Sequence, residues 1–407
     1  MNLGNTSTLL IKAILQILAF PCRNDYNGTT IHYLRQGVKL VKVLQINKLY
    51  YPEIGGIEQV VQQIAEGLNG RIEMKVLVCN RKGKTLHERI NGVELCRAAS
   101  IGVVSSMPVS LSFFHHYKMM AKNCDIIHIH MPFPLADLAV ALFGFKGKVV
   151  LSWHSDVIRQ RFFLKLYRPV MRKLLKRADA IVAATQGHID GSDYLPKYEN
   201  KCVLIPYGIR QMQRHNYVRS KTSDGITILF VGRLVYYKGC DILLEAFSKV
   251  TGAKLRIAGQ GNLEDSLKKK AEGISNEVCF LGNISDEELA NEYRNCDFLV
   301  LSSVARSEAF GLVQIEAMSY GKPVINTYLP GGVPYVSLDN VTGLTVPPFD
   351  ADALAGAMQR LIDDEDLRLE FGQNAYKRAR EEFSEQKMLD SVLALYESLL
   401  ANNQRAE

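Results

Sequence analysis

The 407-residue chain has eight cysteines (Cys22, Cys79, Cys96, Cys124, Cys202, Cys240, Cys279 and Cys296) but no C-x-x-C pair. A chain this long buries a core without disulfide staples, so these read as buried thiols of a reducing compartment. No run of about 18 apolar residues occurs, which excludes a spanning helix. The apolar stretch 9–20 is interrupted by Lys12 and Gln16, is too short to cross a bilayer, and has no positive segment before it to make a signal peptide. A complete G-x-G-x-x-G is missing too, which argues against a dinucleotide-binding dehydrogenase. Between Val157 and Ala178 there is not one acidic residue.

What is present is a globular composition, 47% apolar and 22% charged. The net charge of +7 divides unevenly. Residues 1–37 carry 3 basic and 1 acidic groups, 38–215 carry 26 and 13, and 216–407 carry 20 and 28. A basic half joined to an acidic half suggests two domains with different partners. Residues 1–37 lack clear patterning and read either as a disordered or amphipathic extension or as a misassigned start, with Val38 the first codon.

From residue 41 a β-branched run, a loop and a helical pattern alternate. Runs at 41–46, 74–79, 126–129, 149–152, 180–183 and 203–205 alternate with helical periods that include 57–68, 135–143 and 164–175. Residues 207–225 are polar and aperiodic, an expected linker. The phrase resumes at 226–231, 254–258, 278–281, 298–301 and 323–326, and helical patterns close the chain at 351–362, 366–382 and 385–400. Strands alternating with helices predict two doubly wound α/β domains in tandem, 38–206 and 226–383, facing across a cleft. The segment 384–407 is read as a C-terminal helix, packing back on the first domain, and a tail.

Four segments carry chemistry. Gly55 and Gly56 sit at the first strand-to-helix turn, where backbone amides approach an anion or a tight turn simply requires glycine. Gly232, Arg233 and Lys238 follow the strand at 226–231, placing a bidentate donor and a point charge at a strand's C-terminal end. Ala258-Gly-Gln-Gly261 reads as a close-packed turn. Glu308 precedes a helix expected to begin near Phe310, so the amides of Phe310, Gly311 and Leu312 would face an anion with the helix dipole behind them. Glu316, two turns on among apolar neighbours, must bind a ligand hydroxyl or make a buried hydrogen bond.

Together, Gly232-Arg-Leu through Lys238-Gly239, E-x7-E as Glu308 and Glu316, Gly331-Gly332, Gly55-Gly56 and Ser152-Trp-His154-Ser-Asp156 resemble the family-4 retaining glycosyltransferases of GT-B fold. The resemblance covers nearly all of residues 38–400. It implies that Arg233 and Lys238 hold the donor diphosphate and Glu308 hydrogen-bonds the donor sugar. It further implies that Glu316 binds ribose and that Asn283 and Ile284 lie against the base. From the first domain, Gly56 would approach the phosphate and His154 the transferred sugar. Ala309, Gln260 and Tyr335 depart from the family's usual residues. Front-side transfer in this family retains configuration and calls for no metal or other cofactor, and no D-x-D lies at a strand end between apolar flanks. His128 and His130 share a strand face at metal-ligand spacing, but no carboxylate or cysteine adjoins them, so cleft or core roles are expected, with His130 on the acceptor side.

The basic stretch 159–177 interleaves cations with Phe162, Phe163, Leu164, Leu174 and Leu175. It reads as an anionic-membrane contact or as a solvated face over a core stripe. No nucleic-acid recognition pattern accompanies it. The expectation is a hexosyltransferase, cytoplasmic and peripheral on the inner membrane face, moving mannose from GDP-mannose to a lipid-linked or growing polysaccharide. A UDP-sugar donor is the alternative, and a GT-B nucleotide-sugar epimerase or an inactive binding protein is the reading from another class.

Overall fold

The computed structural model describes residues 40–53, 55–104, 107–156, 161–210 and 225–401. The extension 1–37 and most of the expected linker, 211–224, lie outside the described residues, as do the side chains of 161–166.

The first half is built on β1 (Lys42–Ile46), α1 (Gly56–Leu68), β2 (Glu73–Cys79), the hairpin β3 (Leu86–Ile90) and β4 (Val93–Ala98), and a small ribbon of β5 (Gly102–Val104) and β6 (Met107–Val109). The chain continues through α2 (Ser112–Ala121), β7 (Ile126–Met131), α3 (Pro134–Phe143), β8 (Lys148–Trp153), α4 (Arg161–Arg177), β9 (Ala180–Ala183), the short α5 (Gln186–Asp190) and β10 (Cys202–Leu204). Its eight-stranded sheet runs β10-β9-β8-β7-β1-β2-β4-β3, parallel except for the antiparallel edge strand β3. The buried runs of β1, β7 and β8 (Ile46, Ile127, Leu151) suit a sheet covered on both faces.

The second half contains β11 (Ile226–Val231), α6 (Cys240–Phe247), β12 (Ala253–Ala258), α7 (Glu264–Ala271), β13 (Val278–Gly282), α8 (Asp286–Asn295) and β14 (Phe298–Leu301). After these come α9 (Leu312–Ser319), β15 (Val324–Thr327), α10 (Val333–Val336), β16 (Gly343–Val346), α11 (Ala351–Asp363), α12 (Glu365–Glu382) and α13 (Glu385–Ala401). The order is β13-β12-β11-β14-β15-β16, parallel throughout.

In each sheet the chain works outward from a central strand and then returns to that strand's other side. The switch points therefore fall between β1 and β7 in one half and between β11 and β14 in the other. Crevices outside the strand ends form at such points.

Two expectations need correction. The expected linker does not begin as a free polar connector. Tyr207 and Ile209 are buried, Ile209 pairs its backbone with Phe383 and Glu385, and Arg210 is ion-paired to Glu66 and Glu385. The described end of the apolar side of α4 is not free either, since Met171, Leu174 and Leu175 are buried in the core under the sheet. Its described basic residues face outward, as a core-facing amphipathic helix requires.

Helix α13 crosses back to the first half. Leu389, Val392 and Tyr396 share a core with Ile64 and Val43, and the Tyr396 hydroxyl lies 2.6 Å from Nδ1 of His128. Both D-x-D triplets serve as helix caps: Asp350 accepts from the amide of Ala353, and Asp364 from that of Leu367.

Candidate active site

At the first switch point, α1 opens at Gly56, opposite Leu312 of α9. A Cβ on Gly56 would lie 3.6 Å from a Leu312 methyl, so the two helix N-termini face each other across the cleft. Gly55 is extended (φ −177°), a conformation open to any residue, and the Glu58 carboxylate folds back against it, so a side chain there would displace that carboxylate. Burial raises the Glu58 pKa, while Lys48 and, from the other half, Arg233 pull it down.

At the second switch point Gly232 has a positive φ of 156°, which turns the chain out of β11. Arg233 is exposed, its Nη2 donating to the Tyr237 hydroxyl at 2.9 Å. Lys238 is not exposed. Its Nζ meets Glu308 Oε2 at 2.5 Å, with both side chains about 10% accessible, and Ser303 donates to the same oxygen at 3.0 Å. Two residues assigned separate roles are thus one buried ion pair. Glu308 reaches it from the loop after β14, across the switch point.

The helix expected near Phe310 begins at Leu312. Gly311 takes the left-handed conformation (φ 74°) that favours glycine and turns the chain into α9. The Phe310 ring is buried among Tyr207, His188 and Phe383, leaving only its backbone for a ligand. Glu316 is half-buried and accepts from the Tyr293 hydroxyl at 2.7 Å, and burial raises its pKa. Asp286, at the start of α8, acts on Glu316 electrostatically, so the loop with exposed Asn283 and half-buried Ile284 borders the same crevice.

The histidines are arranged differently from expectation. His130 is buried and does not line an acceptor cleft. Gln45 donates to its Nε2 at 2.8 Å, and its Nδ1 lies 2.9 Å from Nε2 of His154. The other nitrogen of His154 lies 2.8 Å from the Tyr207 hydroxyl. Both ring nitrogens of His154 therefore have protein partners. Burial holds the pKa of His154 at about 3 and that of His130 well below its ordinary value, so both imidazoles are neutral.

His188 was not legible in the sequence. Its Nδ1 lies 2.9 Å from Thr185 Oγ1, while its Nε2 is buried with no partner. The ring lines an interdomain cavity with His154, Asp156, Arg306, Ala309 and Gly331. A side chain at Gly332 would strike the His188 and Phe310 rings. Asp156 shapes the wall by accepting from Trp153 Nε1 (3.0 Å), Ser192 Oγ (2.7 Å) and the Asp193 amide (2.8 Å). No periodicity or spacing marks His188. Only the fold brings α5 up to Phe310.

Two parallel sheets with facing switch points, neighbouring helix N-termini and a buried cation–carboxylate pair at the second of them are the architecture of a GT-B protein. Residues 54–210 match the model described as Glycosyltransferase Family 4, and residues 213–378 match Glycosyl transferases group 1. The chain is 33% identical to O-antigen chain mannosyltransferase C of Escherichia coli, over 88% of this chain and 99% of that protein. It is 35% identical to D-rhamnosyltransferase WbpZ of Pseudomonas aeruginosa, over 84% and 92%. The structure of sucrose-phosphate synthase from Thermosynechococcus elongatus superposes with a TM-score of 0.75 at 21% identity, over 89% of this chain and 100% of that one. The chain belongs to the family-4 glycosyltransferases, and it is an enzyme of that class.

The buried pair makes a testable demand. Lys238→Met or Glu308→Gln leaves one charge unpaired and is expected to cost about 3–5 kcal/mol. The double variant should recover most of that stability in urea unfolding but not transfer activity; additive losses would contradict the pairing.

A pH dependence also follows. His128 and His154 are held near pKa 3 and His188 near 4 by burial, so the native state binds fewer protons than the unfolded chain below pH 6.5. Their contribution is complete above pH 6.5 and is lost as pH falls toward 4. Asp137, raised to about 7, and Glu58, Glu316 and Glu385, also raised by burial, act in the opposite direction, but the lowered histidines, His116 and His130 included, outnumber them. The melting temperature should be lower at pH 5 than at pH 7.5, and a flat or rising profile on acidification would contradict this.

Proposed function

We propose that the chain is a retaining, metal-independent hexosyltransferase that moves mannose from GDP-mannose to a lipid-linked or growing polysaccharide at a membrane surface. The observation that carries this is the convergence of Arg233, the Lys238–Glu308 pair and two helix N-termini on one crevice. A nucleoside diphosphate sugar has the matching chemistry. Its leaving phosphate gains negative charge as the glycosidic bond breaks, and each preorganised cation or helix terminus there contributes roughly 1–4 kcal/mol of barrier lowering.

Glu308 satisfies Lys238 until a phosphate oxygen offers the ammonium a second partner, which frees the carboxylate to accept from a sugar hydroxyl. The leaving oxygen takes the acceptor's proton on the attacked face, so configuration is kept without the flanking carboxylate pair of a hydrolase. Because both nitrogens of His154 are committed, the imidazole nitrogen without a partner among the cavity's lining residues is Nε2 of His188. Neutral His188 is assigned to a hydroxyl of the transferred sugar, with His154 as its packed neighbour. The choice of mannose follows the mannosyltransferase and rhamnosyltransferase names of the relatives.

The proposed membrane contact is wider than residues 159–177. Helices α2, α3 and α4 pack on one core beneath the sheet. Their outer side exposes Met119, Leu142 and Phe143 among Lys118, Lys122, Arg172, Lys173 and Lys176. An apolar and basic face fits an anionic bilayer, such as the inner leaflet of the plasma membrane. No helix among the described residues is long and apolar enough to cross a membrane.

Nucleotide sugars screened by thermal shift, followed by mass spectrometry with a lipid-linked acceptor, test the reaction. GDP-mannose should stabilise the protein and be consumed only with acceptor present. Stabilisation by a UDP-sugar alone would reassign the donor, and consumption without acceptor would point to an epimerase. His188→Ala should lower kcat/KM about tenfold, the worth of one neutral hydrogen bond.

Flotation with vesicles tests the surface. Binding should require phosphatidylglycerol and fall at least tenfold in the Arg172→Glu, Lys173→Glu double variant. Equal binding to phosphatidylcholine would overturn the proposed contact.

A further inference from the structure

The far edge of the first sheet, away from the cleft, brings together three groups with no assigned role. His87 on β3 and Cys96 on β4 are direct partners in the antiparallel register. Helix α2 lays His116 against them. An imidazole nitrogen of each histidine and the Cys96 sulfur all lie within 4.8 Å of one another. The two rings meet edge to face at 5.5 Å between centroids rather than stacking on each other.

We infer that His87, Cys96 and His116 form a binding site for a thiophilic divalent cation of the zinc type. Two imidazoles and one thiolate are a donor set that borderline-soft ions favour, with a fourth position left for water. Accessibility is graded suitably. His87 is exposed and gives entry, His116 is half-buried, and Cys96 is buried at the bottom.

A supporting layer is also present. Thr85 Oγ1 lies 3.2 Å from Nε2 of His116 and accepts from the Ala99 amide, tying that ring to the strand connection. Burial raises the Cys96 thiol to about 11 and lowers the pKa of His116. The imidazole lone pair is therefore available near neutral pH, whereas the thiol yields its proton to solvent only as the cation binds. The cation would staple the β3–β4 hairpin to α2, one of the helices of the proposed membrane face, and take no part in the cleft chemistry.

Cobalt(II) titration of the purified, chelator-treated full chain tests the site. The expected result is a thiolate-to-cobalt charge-transfer band in the near ultraviolet that saturates at one equivalent, and a rise in melting temperature with Zn2+. Cys96→Ser should abolish the band, while Cys79→Ser and His115→Ala, which alter neighbours outside the triangle, should keep it. His87→Ala, at an exposed position where the fold is unaffected, should weaken cobalt binding at least tenfold. No saturable band, a band that survives Cys96→Ser, or loss of the band in His115→Ala would overturn the assignment. Should Cys96→Ser fail to fold, unchanged cobalt affinity in His87→Ala overturns it alone.

Discussion

Two opposite charges, Lys238 and Glu308, are held 2.5 Å apart with little access to water, and the site is organised around that contact. Neither charge is tolerable alone at that depth. Lys238 comes from the turn after β11 and Glu308 from the loop after β14, so the pair spans the switch point and joins its two sides. Ser303 supplies the additional hydrogen bond that a desolvated carboxylate needs. The same contact fixes an ammonium at the crevice outside the ends of β11 and β14.

The two halves meet through a second, uncharged network. Gln45, His130, His154 and Tyr207 are linked in series by hydrogen bonds, and Tyr207 presents its ring edge-on to Phe310 of the other half at 5.0 Å. The ring nitrogens of both linking histidines are satisfied by their neighbours, which fixes the two rings, while Oε1 of Gln45 is left buried without a partner. The series explains why His154, the residue with the plainest motif, is committed on both nitrogens. It also explains why the spare nitrogen of the cavity belongs to His188, on a five-residue helix with no motif. Helix α13 adds a return tie, since Tyr396 reaches His128 from the chain's last helix. The opposed net charges of the two halves contribute to neither network and instead separate donor cleft from outer face.

Elements with dense local signals were readable without the structure. Parallel strands such as 226–231 are continuous β-branched runs bounded by glycine, because both faces are covered. Helix α1 carries its apolar residues at helical spacing, because one side is core. The hairpin β3–β4 carries no continuous apolar run: β3 is a half-exposed edge at Leu86–Ile90, and the buried β4 is interrupted by Glu94 and Arg97. The start of α9 was misplaced by two residues because a left-handed glycine cap is indistinguishable from a first-turn glycine in sequence. The stripe on α4 showed its period but not its partner. Periodicity reports that a face is buried and is silent on whether protein or lipid buries it.

By itself, then, the sequence determined the family, the class of fold and its two Rossmann-like halves. Those rest on local periodicity and on motifs whose members are short-range in the chain. Only tertiary structure decided that Lys238 is paired with Glu308, 70 residues away, that His130 stands behind His154, and that His188 is the histidine with a nitrogen to spare. It likewise decided that His87, Cys96 and His116 converge, and that Leu142 and Phe143 at the end of α3 are exposed. Each of these depends on which side chains desolvate one another across long separations in sequence. Residue spacing along one segment carries no record of that.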